Sequence, residues 1–155
     1  MKEESSLDFV ISEIEVIYRP KVKPSERPQV LKSDDAYYLF LKGWDMDKIY
    51  LVEHAKVMLL NHSNRVLGIH QISSGSISGT IIDPKQVFSV SLKTNACNII
   101  LAHNHPSGNL QFSYNDISLT RKLISAGSFL EIKVLDHLIL SPEGYRSFEN
   151  DIGVY

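Results

Sequence analysis

The stretch Asn98 to Ala102, with Ile99, Ile100 and Leu101 at its centre, constrains the fold more than any other part of the chain. It is too short for a helix and is bounded by polar residues, so it reads as a buried central strand. Its surroundings alternate between strand and helix signals. Val57 to Leu60 and Val66 to Ile72 read as strands around the polar turn Asn61-His62-Ser63-Asn64, which predicts a hairpin. Asp83-Pro84 is a helix start, a capping carboxylate followed by proline at the first helical position. Phe88, Leu92 and Ala96 then recur at four-residue spacing as an amphipathic stripe. Ser113 to Ala126 reads as a second helix, with Leu119, Leu123 and Ala126 on one face and Gly127 ending it. Leu130 to Leu140 begins as a clean alternation, Leu130, Ile132 and Val134 inward, and reads as a strand closed by the turn Ser141-Pro142-Glu143-Gly144. One hairpin among strand–helix–strand crossovers implies an α/β domain with a mixed sheet.

Residues 1–31 are the least self-contained segment. Leu7 to Tyr18 alternates loosely enough for a strand (Phe9, Ile11, then Ile14, Val16). Pro20, Pro24 and Pro28 at four-residue spacing argue for an extended arm, and Lys21, Lys23 and Arg27 on it are expected to be solvated. Ser33-Asp34-Asp35 then supplies an N-cap, and Ala36 to Leu41 reads as a short helix ended by Gly43. The expected division is an arm over 1–31 and one domain over 32–155.

His103-Asn104-His105-Pro106-Ser107-Gly108 follows the central strand directly. Side chains alternate along a strand, so His103 and His105 project the same way. Pro106 cannot continue the ladder and Ser107-Gly108-Asn109 has turn chemistry, so the strand ends in a loop at the sheet edge, where α/β proteins place their sites. Asp116 falls in the first turn of the next helix and is aimed back at that loop. Two imidazoles and one carboxylate on converging elements make three ligands for a zinc ion with the fourth position open. An open position suits hydrolysis, because a zinc ion lowers the pKa of water from about 15.7 toward about 7. A purely structural reading also exists: Ser113-Tyr114-Asn115-Asp116 is close to a capping box. With a single cysteine, Cys97, and six histidines, any metal must be held by imidazole and carboxylate, and no intramolecular disulfide can form.

The joint pattern His103-x-His105-x₇-Ser113-x₂-Asp116 resembles the metal motif of JAB/MPN (JAMM) metalloproteases without a gap. Ile99 to Gly108, Leu135-Asp136-His137-Leu138-Ile139, and Gly79-Thr80 before the Asp83-Pro84 helix resemble the RadC branch of that superfamily. The similarity runs from about Asp34 to the carboxyl end. It implies a three-layer α-β-α sandwich like that of the cytidine deaminases, and one zinc ion on His103, His105 and Asp116. It implies Glu53 as general base and Ser113 as a hydroxyl that helps stabilise an oxyanion. Deaminase chemistry is not implied, since neither H-x-E nor P-C-x-x-C occurs. Full-length RadC proteins carry a helix-hairpin-helix region that the proline-rich residues 1–31 do not match.

Among the remaining candidates, His137 is out of phase with Ile132 and Val134 and either orients a ligand or is a hydrogen-bonded sheet histidine. His54 is expected at the surface, His62 and His70 in solvent, and Cys97 in the core. Asn104 and Ser107 either shape a substrate groove or form the turn. Trp44, Tyr37 and Tyr38 read as packing.

The leading expectation is a zinc-dependent hydrolase of an amide, peptide or isopeptide bond. Two other readings are a repair-associated accessory protein acting with nucleic acid and an inactive metal-bearing scaffold. Sixteen Lys and Arg against eighteen Asp and Glu leave a net charge of −2, which offers no large electrostatic footprint for a phosphate backbone or an anionic membrane. The start of the chain has no apolar core of a signal peptide and no stretch approaches a membrane span, so the expectation is a soluble cytoplasmic protein, with a homodimer open.

Overall fold

The computed structural model describes residues 10–75 and 82–153. Its elements are α1 (Ser33–Lys42), β1 (His54–Leu60), β2 (Val66–Ser74), α2 (Pro84–Lys93), β3 (Asn98–Asn104), α3 (Tyr114–Phe129), β4 (Lys133–Ser141), β5 (Gly144–Ser147) and α4 (Phe148–Asp151). The sheet order is β2-β1-β3-β4-β5, so the apolar run Ile99–Ala102 does form the central strand. β3 is antiparallel to β1 and parallel to β4, which makes the sheet mixed.

Alternation along β3 splits the core into two layers. Ile99 and Leu101 face α2 and α3, packing with Val57, Leu59, Val87, Phe88, Leu123, Ile132 and Val134. Ile100 and Ala102 face α1, packing with Ala36, Tyr37, Phe40, Trp44, Met58, Leu138 and Leu140. Helices therefore cover both faces, the expected three-layer α/β architecture. Phe40 is fully buried, which contributes about 2 kcal/mol.

Several local details differ from the sequence reading. Residues 10–19 form no strand, and Val10, Ile11, Ile14 and Val16 are exposed. An isolated segment gains no ladder bonds, and no described strand pairs with this one, which touches the sheet through the Tyr18 hydroxyl on the Leu67 carbonyl. The proline segment holds one 3₁₀ turn, Pro24–Glu26, and then docks: Gln29 bridges Arg65 and Val30 is buried. Of Ser33-Asp34-Asp35, it is Asp35 that caps α1, accepting from the backbone N–H groups of Leu31 and Lys32 at 2.9 and 3.1 Å. The buried face of α2 is Val87, Phe88 and Ser91; Leu92 is exposed, and Ala96 lies past the helix end. Gly127 sits inside α3 rather than ending it, because a Cβ there would lie 2.3 Å from the Ile132 carbonyl oxygen. β4 starts at Lys133, and Leu130 is partly exposed. β5 and α4 carry no apolar pattern long enough to have been read. Gly79-Thr80 lies outside the described residues.

Candidate metal centre

β3 ends by placing consecutive side chains on opposite faces, and each has a separate task. Asn104, fully buried on the α1 face, donates from Nδ2 to the carbonyls of Ile49 and Val52 at 2.7 and 2.9 Å. Its Oδ1 accepts from the His54 N–H at 2.8 Å. Asn104 thus pins the segment that carries Glu53, so the turn and groove readings both give way to a clamp. His54 is consequently buried, not at the surface.

His103, on the α3 face, is buried, and its Nε2 lies 3.0 Å from Nε2 of His105. His105 is just past the strand. Gly108, at φ 77°, closes a turn by donating its N–H to the His105 carbonyl at 2.8 Å. That positive φ is one a side chain would strain. The turn brings the Asn109 carbonyl to 2.7 Å from His105 Nδ1. A carbonyl only accepts, so Nδ1 carries the proton and Nε2 turns inward. Ser107 accepts from the Asn109 N–H at 3.2 Å, a turn role.

Asp116 approaches from the first turn of α3. Its Oδ1 is 3.3 Å from His103 Nε2 and its Oδ2 is 3.6 Å from His105 Nε2. The capping box is also real. Ser113 N–H donates to Asp116 Oδ2 at 2.7 Å and Asp116 N–H donates to Ser113 Oγ at 3.1 Å. The structural reading of Asp116 thus holds, and it leaves the functional one open, because a carboxylate has lone pairs beyond those the box uses. Glu53 places a carboxylate oxygen within 4.8 Å of a ring nitrogen of each of His103 and His105, and these three residues, rather than the two histidines with Asp116, form the group close enough together to hold a metal ion. Glu53 is buried, and its carbonyl accepts from Gly75 N–H at 2.8 Å.

The electrostatics are those of a site that wants positive charge. Burial opposes ionisation of Asp116, yet the His103 and His105 imidazoles beside it hold its carboxyl far below the usual carboxylate range. The Asp116 side chain raises the pKa of His105, against burial. Two imidazoles with the Glu53 carboxylate within 4.8 Å, and the Asp116 carboxylate beside both rings, are donors of the kind that hold a divalent cation of the zinc, iron or manganese type.

A family model described as a RadC-like JAB domain matches residues 30–153. The chain belongs to this family. A UPF0758 protein of Flavobacterium johnsoniae is 45% identical over 95 residues, covering 61% of this chain and 42% of that protein. One from Caldanaerobacter subterraneus is 43% identical over 105 residues, 63% of this chain and 45% of the relative. One from Clostridium novyi is 35% identical over 131 residues, 81% of this chain and 58% of the relative. The chain spans about half the length of the curated relatives it matches.

Within the RadC-like JAB domain, two residues behind the site were not fully legible in the sequence. His137 is completely buried, with Nε2 2.8 Å from His103 Nδ1 and Nδ1 2.6 Å from Thr120 Oγ1. Burial, and then the nearby His103, push its pKa well below the ordinary histidine value, so it is neutral. Its apparent phase error has a cause: the pairing jumps from Ile99–Val134 to Ile100–Asp136, a bulge at Leu135. One extra residue reverses the alternation and returns His137 to the Val134 face. Thr120 was missed; its signal was its position one helical turn beyond Asp116.

The other candidates fall outside the site. His62 and His70 are solvated as expected. Cys97 is only half-buried, because it lies in the connection before β3 rather than in either layer. Tyr37 and Trp44 pack in the α1 layer, while Tyr38 is exposed beside Tyr37. Among the described residues no helix is long and apolar enough to cross a membrane.

Proposed function

We propose that the RadC-like JAB domain is a metal-dependent hydrolase that cleaves an amide, peptide or isopeptide bond, with zinc as the ion. The observation that carries this reading is the meeting of two inward imidazole nitrogens, 3.0 Å apart, with the Asp116 carboxylate. Such a point requires a positive charge, supplied by a proton on His105 or by a divalent cation. His103, His105 and Asp116 would hold the ion.

When bound, a zinc ion supplies Lewis acidity, acidifying water toward neutral pH and polarising a carbonyl. The chain's own residues carry the rest. Glu53, held within 4.8 Å of both histidines on the segment that the Asn104 clamp pins, takes the proton from water and passes it to the leaving amine. Ser113 is exposed at the start of α3, and its hydroxyl, which accepts from Asp116, keeps its own O–H to donate to a developing oxyanion.

The test pairs wild-type protein with Glu53→Gln on a panel of peptide and isopeptide substrates. The variant is expected to keep its metal while hydrolysis falls by about 10²–10⁴-fold. Equal turnover by the two proteins would remove Glu53 from the reaction. Absence of turnover by metal-loaded wild-type protein across the panel would favour the scaffold reading.

A further inference from the structure

We propose that Thr120 and His137 are positioning residues that fix the tautomer of His103, so that its Nε2 lone pair faces the metal centre. The direction of every hydrogen bond in the chain follows from the one before it. The Asp116 backbone carbonyl can only accept, so the Thr120 hydroxyl proton goes to it, at 2.6 Å. Thr120 Oγ1 then has only lone pairs for His137 Nδ1 at 2.6 Å, so Nδ1 carries the imidazole proton. A neutral imidazole has one N–H, which leaves His137 Nε2 bare to accept from His103 Nδ1 at 2.8 Å. His103 in turn has its Nε2 bare, 3.3 Å from Asp116 Oδ1.

The relay is closed off from water. Thr120, His137 and His103 are all buried, and the ring of Phe112 lies edge-on to His137 at 6.0 Å. No solvent donor reaches His103 Nδ1, so the relay is set against one competitor, the Asp116 carboxylate 3.3 Å from Nε2, which favours the other tautomer. The chain also starts and ends on one residue, since the Asp116 carbonyl anchors Thr120 while its carboxylate meets the nitrogen that the relay exposes. Histidine ligands ordinarily have their second nitrogen fixed by a carboxylate or carbonyl; here a neutral histidine and a threonine do it.

The consequence for metal affinity rests on the metal-centre reading, whereas the tautomer does not. Long-range proton–nitrogen NMR of the metal-free protein, labelled at histidine nitrogen, reads the tautomer directly. The expected spectrum has His103 protonated at Nδ1 and bare at Nε2, in wild type and in Thr120→Ser. Thr120→Val keeps the shape but removes the hydroxyl, so His137 is free to turn its proton toward His103. The variant is expected to show His103 protonated at Nε2, wholly or in part, and a zinc Kd raised by about 10–100-fold. A wild-type His103 protonated at Nε2 would overturn the proposal, as would a Thr120→Val protein with unchanged tautomer and zinc affinity. Wild-type protein that binds no zinc would fell the metal-centre reading, and the spectra alone would then judge the relay. If Thr120→Val does not fold, the wild-type spectrum decides the tautomer by itself.

Discussion

Asp136 and His137 are neighbours on β4, and each centres a buried polar cluster, but the two clusters end differently. On the α1 face, the Asp136 carboxylate accepts from Ser33 Oγ at 2.9 Å, Ser147 Oγ at 2.7 Å, and the N–H groups of His137 and Glu149 at 2.7 and 3.0 Å. Every donor there has found its acceptor within the chain, and the cluster ties α1, β5 and the start of α4 to β4. On the α3 face, the chain through Thr120, His137 and His103 runs out into a lone pair that meets a second imidazole and a carboxylate. A closed network holds a fold together and needs nothing more, whereas an open one needs a positive charge, a proton on His105 or a divalent cation, to complete it.

The largest effect that separates the two is on stability. Asp136→Ala removes the acceptor of two backbone N–H groups and two hydroxyls, of which the His137 N–H and the Ser147 hydroxyl belong to buried residues, at roughly 1–3 kcal/mol for each buried donor left unpaired. Denaturant unfolding should show a loss of about 3 kcal/mol or more, with zinc affinity of the folded fraction unchanged. A loss below about 1 kcal/mol would break the contrast, because Asp136 would then not be the structural tie.

His105→Ala should show the reverse. His105 lies at the partly exposed end of the open network, so the metal-free variant should lose about 1 kcal/mol or less. Its zinc affinity should fall by more than about a hundredfold, since an inward ligand is gone. Comparable zinc binding by this variant would show that the ion, if bound, sits elsewhere.

The smallest expected effect is the pH dependence of the metal-free protein. The folded pKa of His105 is raised above 6.5, so its stabilisation is complete below that value and is lost as pH rises through the folded pKa. Asp116 is lowered from 3.8, so its contribution is present above that value and fades as pH falls. Thermal stability of metal-free protein should therefore be highest between about pH 4 and pH 6.5 and decline on both sides. Asp116→Asn should flatten the alkaline side; an unchanged slope would place its origin outside this pair.

The same two faces show what was legible in the sequence. β3 and the start of α3 were readable because a short apolar run and a capping box are local signals, and with them came the convergence of His103, His105 and Asp116. Glu53 was not readable from spacing; it entered through family resemblance, and its place depends on Asn104, far away in sequence, gripping the loop before β1. His137 read as out of phase because a bulge is set by strand pairing, which a single strand's periodicity does not carry. Gly127 was misread as a helix stop for a similar reason, since its cause is the Ile132 carbonyl packed against it. Thr120 looked like an ordinary helix residue until its partner was known.

The measurement that bears most directly on the metal centre is elemental analysis of wild-type protein after equilibration with micromolar zinc at neutral pH and removal of free metal. The account predicts about one zinc equivalent per chain, since three protein ligands and one open position hold a single ion. Protein that emerges metal-free would contradict it.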